Sequence, residues 1–95
     1  MNRIDFGTRN GIYMFSTVSG SIYILKITDK RIILKRNPRN ENSSLRKDNE
    51  EIEVLAFMPI EVGKRAMLLL EPLGKGESTS RYTTEVLEIW EINHY

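Results

Sequence analysis

At 95 residues the chain has room for one domain with a thin core, residues 1–95, and not for two. Apolar residues make up 40% and charged residues 28%, with both signs mixed, which excludes a disordered chain. There is no cysteine, which excludes disulfide staples, thiol catalysis and cysteine-held zinc, and makes the cytoplasm the expected compartment.

The net charge of +1 hides an uneven distribution. Residues 1–47 hold ten Lys/Arg against Asp5, Asp29 and Glu41, a balance of +7. Residues 48–95 hold four Lys/Arg against ten Asp/Glu, a balance of −6. The two segments can pair within one molecule, or across a subunit interface, where opposite charges steer encounter and fix register. Met1 to Phe6 shows no apolar leader segment, and the apolar run Ala66 to Leu70, which no other run exceeds, is far short of the ~20 residues a membrane helix needs. No membrane contact is expected.

Gly11 to Val18 and Ser21 to Thr28 are rich in aromatic and β-branched residues, and Ser19-Gly20 lies between them. Glycine supplies the positive φ of a tight turn, so these segments predict a β-hairpin. Arg31 to Arg36 follows a turn at Asp29-Lys30, where the Asp carboxylate can bond the backbone two residues on, and extends the hairpin to a meander. Residues 37–49 contain four asparagines and one large hydrophobe, Leu45, and predict a long loop. Glu51 to Met58 alternates at its start and is cut short by Pro59, which favours strand over helix. Pro59 to Lys64 is a connection ending in a Gly-Lys turn, and Arg65 to Glu71 is a strand of seven between Gly63 and Pro72. Residues 72–80 predict a second loop. Arg81 to Ile92 predicts a last strand, with a C-terminal helical turn as the alternative. The sum is an all-β chain of about six antiparallel strands in a small barrel or sandwich.

Two of these strands are apolar on both faces. Tyr23, Leu25 and Ile27 oppose Ile22 and Ile24, and Ala66, Leu68 and Leu70 oppose Met67 and Leu69. A strand with one wet face alternates apolar with polar. The second face is expected to be covered by the chain's own termini or loops, or by a homodimer partner.

No motif for chemistry survives inspection. His94 is the only histidine and lies at the chain end, where a general base is poorly held. Gly74 to Thr79 lacks the earlier glycine and the Lys-Ser/Thr step of a phosphate-binding loop. Asp48, Glu50, Glu51 and Glu53 lack calcium-loop spacing. Glu51 and Glu53 are instead expected opposite Lys35 or Arg36 on a neighbouring strand. Asn42-Ser43-Ser44 matches a glycosylation sequon with no secretory route to use it, and no serine has an activating neighbour. No metal, cofactor or enzyme activity is expected; a carboxylate-based site is the remaining catalytic alternative.

The sharper signal is cationic. Lys26, Lys30, Arg31, Lys35, Arg36, Arg39, Arg46 and Lys47 fall within one hairpin and the loop after it. Gathered in space, they would attract a phosphate backbone or an acidic protein surface. Tyr13, Phe15 and Tyr23 lie on the adjoining hairpin, where an exposed ring could stack a base. The expectation is a non-enzymatic binding or protein-interaction module, its partner another protein or a second copy, engaged through these eight cations. The alternative is a weak, sequence-nonspecific nucleic-acid-binding small β-barrel using the same patch.

Four short segments, Thr17 to Tyr23, Leu45 to Asp48, Met67 to Leu70 and Arg81 to Thr84, resemble a group of short bacterial all-β proteins of unassigned function. The resemblance implies an intact small β-domain and transfers no activity, cofactor or functional residue. It draws attention to Arg46 and Arg81, which both adjoin loops.

Overall fold

The structure, a computed structural model, describes residues 1–37, 50–72 and 79–94. Of the predicted loop over 37–49 all but Asn37, and of the second, over 72–80, residues 73–78, lie outside the described residues. The described residues form eight strands: β1 (Arg3–Ile4), β2 (Gly11–Thr17), β3 (Ile22–Ile27), β4 (Ile32–Asn37), β5 (Ile52–Phe57), β6 (Ile60–Glu61), β7 (Arg65–Leu70) and β8 (Thr79–His94). Among the described residues there is no helix, so the C-terminal helical alternative is replaced by one continuous strand of 16 residues.

Six strands close into an antiparallel barrel in the order β2-β3-β4-β5-β7-β8. Closure follows from β8, which is long enough to serve two neighbours. Its first part pairs with β7, from Leu70↔Thr79 to Arg65↔Glu85, and its second part with β2, from Thr17↔Val86 to Gly11↔His94. Register shifts at both ladders let β8 bend between them. A closed sheet has no free edge along its ladders, which removes the main aggregation hazard of a small β protein.

The turns are those the local chemistry dictates. The first hairpin has a three-residue loop, Val18-Ser19-Gly20, closed by Thr17 N donating to Ser21 O at 3.1 Å, with Gly20 at φ 89°. It is one residue longer than a two-residue Ser-Gly turn, and left-handed Gly20 sits where a three-residue loop needs it. The Asp29-Lys30 turn is closed by Thr28, whose N and Oγ1 both donate to Arg31 O. Gly63 has φ 90° before β7, and its N–H reaches Val86 O at 2.8 Å.

Period-two geometry turns one side chain of every pair into the barrel. Tyr13, Phe15, Leu25, Leu34, Ile52, Leu68 and Leu70 are each at most 1% exposed. Each fully buried aliphatic side chain contributes roughly 1.5–3 kcal/mol. β1 and β6 pair only with each other, through Arg3↔Glu61 and Ile4↔Ile60. They plug the end of the barrel where β5 finishes, with Ile4 and Ile60 fully buried in the core. Neither strand is legible in the sequence, because two residues carry no periodicity.

Candidate functional site

Five of the eight predicted cations lie among the described residues, and strand parity separates one of them from the rest. On β4, Leu34 and Arg36 point inward and Lys35 outward. Arg36 therefore leaves the predicted surface patch: it is 5% exposed and sits in the barrel interior. Its Nη2 donates to Ser21 Oγ at 2.9 Å, and its guanidinium carbon lies 6.0 Å from the Tyr23 ring centroid. Tyr23 in turn stacks on Phe15, centroids 4.9 Å apart and planes 8° from parallel. The cue was in the sequence: once Leu34 is core, residue 36 must share its face. Lys26, Lys30, Arg31 and Lys35 remain on the outside of the β3–β4 hairpin. They form no ion pair with any described residue, although Asp29 and Glu53 interrupt their field. Arg39, Arg46 and Lys47 lie outside the described residues.

Burial also places the three hairpin aromatics. Tyr13, Phe15 and Tyr23 are 1%, 0% and 3% exposed, so none is available to stack a base. Arg81 is likewise interior at 6% exposure, opposite Leu68 in the β7–β8 ladder. With Arg36, Ser21 and Thr17 it makes the barrel interior polar toward the end where β2, β4 and β7 finish. Glu53 falls opposite Ile33 and not opposite Lys35 or Arg36; its N–H is satisfied by Glu71 Oε1 at 2.9 Å.

The charged halves of the chain meet at the other end. Arg9 grips Glu91 with two bonds, Nε–Oε2 at 3.1 Å and Nη2–Oε1 at 2.9 Å, and Arg3 reaches Glu61 at 2.9 Å. The bond to Glu91 raises the Arg9 pKa further above its ordinary value. Tyr13 Oη donates to Arg9 O at 2.6 Å. Burial first, and the Glu91 charge second, push its phenol pKa up. A tyrosine that holds its proton more tightly is a structural donor and a poor general base. Among the described residues no group of His, Cys, Asp or Glu is placed to hold a metal ion. No helix among them is long and apolar enough to cross a membrane.

What the geometry does assemble is an apolar outer face. Side chains that alternate with the core residues of β8, β2, β3 and β4 form three outward rows. The ladders align Glu88–Ser16–Ile22–Asn37, then Trp90–Met14–Ile24–Lys35, then Asn93–Ile12–Lys26–Ile33. Ile12, Met14, Ile22 and Ile24 are half-buried by one another, and Trp90 is 37% exposed beside them. The main contacts of each described barrel strand are with its ladder neighbours. Its flanks have opposite charge. Lys35 and Lys26 border it on the β3–β4 side and Glu88 on the β8 side, and none of the three makes an ion pair with a described residue. The second two-faced strand, β7, is partly attended by the N-terminal segment. Phe6 packs on Phe57 at 5.0 Å and joins Met58, Met67 and Leu69 in an apolar groove of about 400 Å³.

Comparison with protein families, with curated proteins and with solved structures finds no match to this chain.

Proposed function

We propose that the protein is a non-catalytic interaction module that docks another protein surface on the outer face of β8, β2, β3 and β4. The observation that carries this reading is the row Trp90–Met14–Ile24–Lys35, a stripe of apolar side chains ending in a lysine that has no acidic partner among the described residues. An apolar patch rimmed by charge is the composition of a protein-binding surface: an apolar centre gives affinity and a charged rim gives orientation. The closed barrel supports it from behind, so the face is rigid before it binds. A cytoplasmic location belongs to the same reading, on the absence of cysteine.

The test is capture from native lysate by the tagged protein, compared with Ile24→Glu and Lys35→Glu. Partners lost with both variants support the reading, and an unchanged set of partners overturns it. Single-stranded DNA is the control for the nucleic-acid alternative. A gel shift at low salt that collapses as salt rises would replace protein docking by phosphate binding on the same lysines.

A further inference from the structure

We infer that the barrel interior binds a small dianionic oxyanion of the phosphate class between Arg36 and Arg81. The site is separate from the outer docking face and does not depend on it. In a closed barrel the strands tilt, and the inward residues of one layer are staggered from strand to strand. Tyr23 pairs with Arg36, Leu34 with Ile52, Val54 with Leu70, and Leu70 with Thr79. A stagger of two residues at each ladder keeps to the inner face and places Ser21, Arg36, Ile52, Leu70 and Arg81 in one layer. Their exposures, 0%, 5%, 0%, 0% and 6%, agree with that placement. β4 and β8 are three strands apart in a ring of six, so the two arginines enter the layer from opposite sides.

The layer carries two positive charges, and its other members are neutral. Among the described residues the buried polar side chains are Thr17, Ser21, Arg36, Arg81 and Thr83, a set without a carboxylate. Two guanidiniums taken out of water repel each other and each carries a desolvation cost, which a dianion between them offsets. Each arginine has interactions of its own that hold it in place, among them the bond from Arg36 to Ser21. A guanidinium has five N–H donors, so these contacts leave donors for a ligand. Arg36 Nε and Arg81 Nη1 are buried and meet no acceptor among the described residues. Ser21 Oγ accepts from Arg36 Nη2 at 2.9 Å and from Ser19 Oγ at 3.4 Å, which leaves its own O–H to donate. A tetrahedral dianion fits this set in charge, and its oxygens can accept from guanidiniums on both sides and from the serine. A single carboxylate would leave one positive charge uncompensated. Inorganic phosphate and a small phosphomonoester share this chemistry.

Calorimetric titration and thermal melting of the full chain with sodium phosphate test this, against sodium chloride at equal ionic strength. Phosphate should bind saturably at one site per chain. At a hundredfold excess over its dissociation constant it should raise the melting temperature by at least about 5 °C, and chloride should not. Arg81→Gln and Arg36→Gln should each weaken phosphate at least about tenfold. Should either variant fail to fold, Ser21→Ala keeps both arginines and should still weaken phosphate by about threefold or more. Lys30→Gln removes an exposed cation outside the layer and should leave phosphate binding unchanged. Phenyl phosphate separates the two sources: binding as tight as phosphate assigns the site to phosphate esters, and its exclusion assigns the site to the free anion. The proposal is overturned by an absence of saturable phosphate binding, or by a melting shift that chloride reproduces. It is overturned equally by binding that Lys30→Gln weakens as much as Arg81→Gln does, or that is indifferent to Ser21→Ala and to both arginine variants.

Discussion

The two faces of β2, β3 and β4 carry nearly the same chemistry in different settings. Inward, Tyr13, Leu25 and Leu34 align in one row and are fully enclosed; outward, Met14 and Ile24 align one residue away and are only half-buried. The side chains differ little in hydrophobicity. What separates them is that barrel closure surrounds the first set on every side, whereas the second set finds neighbours only within its own sheet. The inner rows accordingly hold the fold together, and the outer rows are free to hold something else.

The largest expected contrast is Leu34→Ala, which leaves a cavity in the enclosed row and should cost about 2–5 kcal/mol in chemical denaturation. A loss under about 1 kcal/mol would mean that the interior is loosely packed. Arg36→Ala removes a buried guanidinium bonded to Ser21 and should cost about 1–3 kcal/mol, read the same way. A surface lysine such as Lys35 should lose within about 0.5 kcal/mol on the same substitution, so equal losses would contradict the parity of β4. Tyr13→Phe deletes the bond to Arg9 O and should cost about 0.5–1.5 kcal/mol. It carries a pH signature as well. The folded chain holds the phenolic proton more tightly than the unfolded chain, so this contribution is complete below the ordinary tyrosine value of 10.0. It is lost as pH rises above that value, through the raised folded one. Melting between pH 9 and 12 should therefore fall less steeply for Tyr13→Phe than for the native chain. The effect of Ile24→Glu on folding should also be small, under about 1 kcal/mol, because its position already borders solvent.

Much of the fold is legible in the residues. Gly20, Asp29-Lys30 and Gly63 mark turns by their backbone chemistry, and the β-branched runs between them are the barrel strands. Inner and outer faces were harder to separate on β3 and β7, since Ile22, Ile24, Met67 and Leu69 are as apolar as the core residues beside them. Arg36 poses a related difficulty: as one of a series of cations it points to the surface, whereas its two-residue offset from Leu34 assigns it to the interior. The β1–β6 plug and the β2–β8 seam depend on residues far apart in the chain, and no local pattern announces either. The outward rows needed the ladder registers: only cross-strand alignment sets Trp90, Met14, Ile24 and Lys35 in one line.

The seam between β2 and β8 also bears on how fast the barrel assembles. Arg9 and Glu91, which clasp beside it, are 82 positions apart in the chain. Closing so long a loop has a large entropic cost before any contact repays it, whereas the β2–β3–β4 meander forms between neighbours on a scale of roughly microseconds. Refolding should therefore be slow for a chain of this size, in the millisecond-to-second range of non-local β topologies. Stopped-flow kinetics should find substitutions in the seam, such as Ile89→Val, acting mainly on the unfolding rate, and those in the meander, such as Leu25→Ala, acting on the folding rate. The reverse partition would mean that the ends of the barrel find each other first.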